Sequence, residues 1–226
     1  MNIHILELRK RIIYCIFYIF INFFILFYYS DILYDIFSIP IKEQLPKGSS
    51  IVAINITSTF LIPLKLSINL TLILSFPYIL LNFWFFVSPG LYSYEKKKFI
   101  QFILLSCFLF FLGIFFAFFI ICPFALNFFL NYAPSNVSAM ISINNYLDFM
   151  FTIILISGIC FNIPILINII IKFNIVKKET FKNNRSYIIV FSFILGMFLT
   201  PPDVISQILL AIPIILLFEL GVFFSK

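Results

Sequence analysis

Six long apolar runs, almost free of charge, divide this 226-residue chain and commit it to hydrocarbon as a solvent. They are Ile12 to Tyr29, Leu66 to Val87, Phe99 to Cys122, Phe149 to Ile171, Tyr187 to Thr200 and Val204 to Phe224, and the one charged residue inside them is Glu219. A membrane-crossing helix needs about 20 apolar residues. The runs therefore predict an all-α polytopic membrane protein with six transmembrane helices in a single domain over residues 1–226, the last two helices short. The chain is 63% hydrophobic and 11% charged, whereas soluble domains are roughly 45–50% apolar and about 25% charged. A soluble fold of this size could not hide that much apolar surface.

The interruptions are informative. Asn22 is the main polar break in the first run, which follows Arg9, Lys10 and Arg11 and has no small-residue cleavage site after it, so it reads as a retained helix. Pro77 should kink the second helix, and Pro123 should end the third. Gly158, Asn162 and Pro164 make the middle of the fourth irregular or cavity-facing. The fifth run has only 14 residues, roughly 21 Å of helix against a hydrocarbon core of roughly 30 Å. Its short link to the sixth, Thr200-Pro201-Pro202-Asp203, predicts a tight hairpin with local thinning of the bilayer.

Orientation follows from the basic residues. Twelve of the fifteen Lys and Arg residues lie at the two termini and in the second and fourth loops, while Lys42, Lys47 and Lys65 lie on the other side. Six spans with both termini in the cytoplasm fit that asymmetry. The net charge of +6 is then assigned to contact with inner-leaflet lipid and not to nucleic acid. The outer loops, 31–61 and 123–148, are longer and expected to cap the spans, the first with a short interfacial helix.

Several function classes drop out. All four cysteines sit in apolar runs without CxxC spacing, and His4 is the single histidine, so no disulfide framework, metal site, haem ligation or Ser-His dyad is expected. No cofactor and no enzyme activity are predicted. A small-solute secondary transporter is the alternative, but residues 1–113 and 114–226 show no convincing repeat and no carboxylate lies near the membrane centre. The 34 phenylalanines read as the imprint of an AT-rich coding sequence and receive no individual roles.

The acidic residues on the basic inner side need a reason. Glu7 lies in HILELRKR, where Ile3, Ile5, Leu6 and Leu8 form an apolar side suited to the membrane surface before the first span, and Glu95 lies in SPGLYSYEKKK. Each carboxylate could simply pair locally, Glu7 with Arg11 and Glu95 with Lys98, for a few tenths of a kcal/mol. Together they could instead receive a cationic peptide, since a guanidinium presents a planar donor fork that a carboxylate accepts bidentately. Asn162 and Gln207 are either interhelical hydrogen bonds or functional polar groups. Asp203 suits the N-terminus of the last helix, and Glu219 reaches the interface.

HILELRKR at 4–11, IPIKEQLPKGS at 39–49, FVSPGLYSYEKK at 86–97 and GMFLTPPDVISQILLAIPIILLFELGVFF at 196–224 resemble the TatC family, the multispanning core of the twin-arginine protein translocase, essentially from end to end. The resemblance implies transport of folded proteins across the bacterial inner membrane (an organellar membrane being the other setting), driven by the proton gradient. It implies that Glu7 and Glu95 recognise the paired arginines of signal peptides, with Arg9, Phe86 and Leu91 alongside. Pro40 and Pro89 fall on other functionally sensitive family positions. Met197, Thr200 and Gln207 match the region where the single-span TatA and TatB subunits dock, and Asp203 matches the aspartate of the fifth loop. Other copies of the chain are implied as partners. The family usually carries Glu where this chain has Asn162, so a titrating role at that position is not expected here. The short tail after the sixth run leads to the expectation that little beyond the membrane core is needed.

Overall fold

With no water in the bilayer core, backbone groups must pair with one another, and helix satisfies them locally. The computed structural model describes residues 2–44, 50–53, 57–90, 93–131, 140–172, 176–199 and 204–224. In chain order these form α1 (Asn2–Tyr28), α2 (Ser30–Phe37), α3 (Ile39–Gln44), β1 (Ser50–Val52), α4 (Ser58–Val87), α5 (Ser93–Phe116), α6 (Cys122–Asn131), β2 (Met140–Ser142), α7 (Ile143–Cys160), α8 (Ile163–Lys172), α9 (Lys178–Asn183), α10 (Arg185–Leu199) and α11 (Val204–Phe224). Among the described residues, five stretches are long and apolar enough to cross a membrane: Ile5–Tyr28, Ser58–Phe86, Phe99–Leu130, Ile143–Lys172 and Ser206–Phe224. The sixth apolar helix, over Arg185–Met197, is shorter.

The helices fall into two compact units. The first comprises residues 1–39 and 53–107. In it α1 runs antiparallel to α4, with Arg11 against Phe85 and Tyr18 stacked on Tyr78 at 4.1 Å between ring centroids. The N-terminal segment, whose apolar side the sequence suited to the membrane surface, is helical. It is continuous with the first span, because HILELRKRIIY contains no helix breaker and the Glu7–Arg11 pair bridges one turn of it. Helix α4 likewise begins at Ser58, well before the apolar run, and continues through Pro63 and Pro77. Two of its hydroxyls bond within the helix, Ser67 donating to the Pro63 carbonyl at 2.7 Å and Thr71 to the Ser67 carbonyl at 2.6 Å, whereas the buried Ser75 hydroxyl has no hydrogen-bonding partner among the described residues.

The second unit comprises residues 40–52 and 108–226. Here the expectation that Pro123 ends a helix fails. Proline cannot donate to the carbonyl four residues back and its ring crowds that carbonyl. A π turn over Ala117–Ile121 shifts the bonding frame, the Cys122 N–H reaches the Ala117 carbonyl, and the helix resumes as α6 with Pro123 in its first turn. The fourth run does break as expected, between α7 and α8 at Phe161–Asn162. Helix α10 has 15 residues, about 22 Å of length.

A feature with no clear sequence signal is the pairing of the segment before α4 with the segment before α7. β1 and β2 form a parallel ladder in the register Ser50 to Met140, Ile51 to Ile141 and Val52 to Ser142. Asn127 on α6 also donates to Gln44 on α3 at 3.0 Å. Pro40 and Ile41, at the start of α3, are buried.

Small residues set the closest approaches. A methyl group added at Gly113 would lie 2.7 Å from the Ser157 carbonyl oxygen and 3.0 Å from the Gly158 Cα, so α5 meets α7 backbone to backbone. Gly221 meets the Pro164 backbone of α8 in the same way, beside a cluster of Ile167, Ile171, Phe218 and Val222. Gly113→Ala should therefore cost about 1–3 kcal/mol by overpacking against an unyielding carbonyl. Gly158→Ala should cost less, because its new methyl meets the Phe110 ring, which can turn. Reversible unfolding in mixed micelles would measure both, with lipid-facing Leu104→Ala as the reference; a Gly113→Ala protein as stable as wild type would contradict this packing.

Candidate functional site

In the first unit, the N-terminal end of α1 carries the charged constellation. Residues 7 and 11 lie one turn apart, so Glu7 and Arg11 share a face. The Arg11 Nε–H donates to Glu7 Oε1 at 3.2 Å, and a terminal guanidinium N–H donates to the same oxygen. Both bonds fall on one carboxylate oxygen, and Oε2 has no hydrogen-bonding partner among the described residues. The pair is sheltered, with 22% of the Arg11 side chain and 33% of the Glu7 side chain exposed. The Arg11 guanidinium also lies over the Phe85 ring, 5.6 Å from its centroid, a cation–π contact.

Arg11 stands at the mouth of an apolar furrow between α1 and α4, about 260 Å³ in volume, walled by Leu8, Ile12, Ile16, Ile79, Phe83 and Phe86, with Cys15 and Asn82. A second furrow of about 330 Å³ follows it along the same seam from Ile16 to Phe23, against Ile68, Thr71 and Leu72. Phe86 is thus brought to the charged pair. Arg9 is not: it lies two residues from Glu7, about 200° around the helix, and is exposed. Glu95 is the third residue of α5 and belongs to the same unit as Glu7, but its side chain lies outside the described set, as does Leu91. The turn that leads to α5 carries Pro89, which is exposed.

Sequence reasoning missed what orients that turn. Trp84, the one tryptophan, is buried and stacks on Phe99 at 5.1 Å with the rings 19° apart, joining the end of α4 to the first turns of α5. Glu95 precedes Phe99 by one helical turn. The singular tryptophan so near a predicted helix end was the available signal.

The second unit holds the remaining candidates. The Gln207 side-chain N–H donates to the Phe193 carbonyl at 2.8 Å, tying α11 to α10, and Gly196 lets the two helices close on Gln207. Met197 is 61% exposed. Thr200 and Asp203 lie outside the described residues. Toward the other end of the hairpin, Glu219 accepts from Arg185 at 2.8 Å, a pairing that sequence spacing could not anticipate across 34 residues.

Asn162 is buried at the break between α7 and α8. Its backbone N–H goes to the Ile159 carbonyl at 3.0 Å, and its side-chain Nδ2 donates at 3.0 Å to the Gly158 carbonyl, which the helix break would otherwise leave short of its usual donor. Among the described residues no three His, Cys, Asp or Glu side chains gather where a metal ion could be held.

The family model described as Sec-independent protein translocase protein (TatC) matches residues 3–213. The chain is 40% identical over 223 residues to the Sec-independent protein translocase protein TatC of Escherichia coli (strain K12), covering 99% of this chain and 86% of that one. It is similar to a crystal structure of the twin-arginine translocase receptor TatC, with a TM-score of 0.86 and 35% identity over 99% of this chain and 98% of that one. A second crystal structure of that receptor, in DDM, gives a TM-score of 0.88 at 35% identity over 99% of each chain.

The geometry at Asn162 sets an expectation of its own. Asn162→Leu should leave the Gly158 carbonyl unsatisfied in the apolar interior and cost about 1–3 kcal/mol. Asn168→Leu removes a bond of the same kind, to the Pro164 carbonyl, but inside α8, where the backbone already serves that acceptor, so the loss should be only about 0.6 kcal/mol. Unfolding of the two variants in detergent would separate them, and equal stabilities would refute the repair role.

Proposed function

The chain belongs to the TatC family of Sec-independent protein translocase proteins, and from that premise we propose that it serves as the receptor and core subunit of a twin-arginine translocase in the bacterial inner membrane. Both termini face the cytoplasm, where signal peptides with paired arginines arrive on folded cargo, and passage is driven by the proton gradient. It makes and breaks no bond in the cargo. Glu7 and Glu95 accept the two guanidinium groups, with Arg9, Phe86 and Leu91 around them. Met197, Thr200 and Gln207 receive the single-span TatA and TatB subunits, and further copies of the chain complete the complex. Pro40, Pro89, Asn162 and Asp203 hold the parts in place.

The observation that carries this reading is the sheltered Glu7 carboxylate, with one oxygen open, beside an apolar furrow that starts at Phe86. A signal peptide offers the matching chemistry, a cationic pair followed by an apolar stretch. Guanidinium suits a carboxylate better than ammonium because its donors form a fixed fork. Gln207 supports the second assignment less directly, since its amide already serves Phe193, while Met197 nearby is exposed.

Photocrosslinking in membrane vesicles tests the receptor assignment. A twin-arginine peptide should crosslink strongly to wild type, and Glu7→Gln or Glu95→Gln should each lower its affinity about 10- to 100-fold, the value of one charged hydrogen bond. Undiminished crosslinking in both variants would overturn the assignment. Export of a folded reporter bearing the arginine pair, measured in the same vesicles, distinguishes the translocase from a small-solute transporter.

A further inference from the structure

The receptor carboxylate is already occupied by a guanidinium of the chain itself. Arg11 approaches Glu7 through its Nε and a terminal nitrogen, the same donors that a cargo arginine would use. We propose that Arg11 is a resident stand-in for the cargo arginine, a self-occupant of the Glu7 site that a signal peptide must displace. The proposal rests on the reading of Glu7 as a signal-peptide acceptor.

Three observations support displacement over a fixed structural pair. Both Arg11 bonds converge on Oε1, so an incoming guanidinium can first engage Oε2. The carboxylate is then never left bare during the exchange. The released Arg11 also has a place to remain, because its guanidinium lies over the Phe85 face and lines the furrow mouth. Finally, the pair is partly exposed on both sides, so a peptide can reach it from the membrane surface.

The consequence is a threshold. When the competent form of a site is only a fraction of the population, apparent affinity for every ligand falls by that fraction. Arg11 therefore weakens arginine and lysine peptides by the same factor. A ligand that binds the open site well still binds, whereas one that relies on hydrated point-charge ammonium groups falls below the useful range. Selectivity at working concentration is thus achieved by a competitor built into the receptor, without any group that touches lysine and rejects it.

Binding of synthetic twin-arginine and twin-lysine signal peptides to the full chain in lipid nanodiscs tests this. Arg11→Gln should tighten both peptides by a similar factor, on the order of tenfold, and bring the lysine peptide into measurable range. Arg11→Lys, which keeps the charge but loses the fork, should fall between wild type and Arg11→Gln. In a Glu7→Gln background the Arg11 substitutions should have no effect. Weaker arginine-peptide binding in Arg11→Gln, restored in Arg11→Lys, would make Arg11 a positioning residue and overturn the proposal; so would an Arg11→Lys protein equal to wild type, which would mark a simple field effect. If wild type does not prefer the arginine peptide, and Glu7→Gln changes nothing, the receptor reading itself fails.

Discussion

Hydrocarbon provides no hydrogen bonds, so each place where a membrane helix departs from regularity must be repaired by the protein itself. The repairs here are specific. A π turn carries the α5–α6 helix past Pro123, the Asn162 amide serves the Gly158 carbonyl at the α7–α8 break, and the Ser67 and Thr71 hydroxyls of α4 turn back onto their own helix. Without them the prolines and polar residues would make these helices unstable in lipid. With them, the chain can place bends where its packing needs them, as where Gly113 meets the Ser157 backbone.

The same economy of polar groups explains the charged end of α1. A carboxylate near the membrane cannot stand unpaired at low cost, and Arg11 satisfies one oxygen of Glu7 while its guanidinium lies over the Phe85 ring. The arrangement is stable enough to persist and exposed enough to be exchanged. Trp84 stacked on Phe99 fixes the entry to α5, the helix that carries Glu95, against the end of α4. In the second unit, Gln207 and the Arg185–Glu219 pair hold α10 and α11 together at two separated points, which ties the shorter α10 to a helix long enough to cross a membrane.

What could be read in advance follows the range of each interaction. Helix existence was legible because apolar runs report it directly, and the Glu7–Arg11 pair was legible because it is one helical turn long. The break at Asn162 announced itself through Gly158 and Pro164. The passage through Pro123 was misjudged for a local reason, since a π turn has no residue signature. The β1–β2 ladder, Gln44 with Asn127, Trp84 with Phe99 and Arg185 with Glu219 depend on how distant segments pack, which no periodicity encodes. For Glu95, Leu91, Thr200 and Asp203 the family resemblance remains the source of their assignment.

Helix α1 has no buried residue between Ile5 and Tyr28, and most of its circumference beyond the seam with α4 is exposed phenylalanine, isoleucine and tyrosine. Such a surface asks only for oiliness, and any large aliphatic or aromatic ring meets the demand. The choice among greasy residues along that outer skin is therefore loosely constrained, while the seam holding Glu7, Arg11 and Tyr18 is chemically particular. A chain can in this way carry 34 phenylalanines as an interchangeable vocabulary and still keep the grammar of its charged pair.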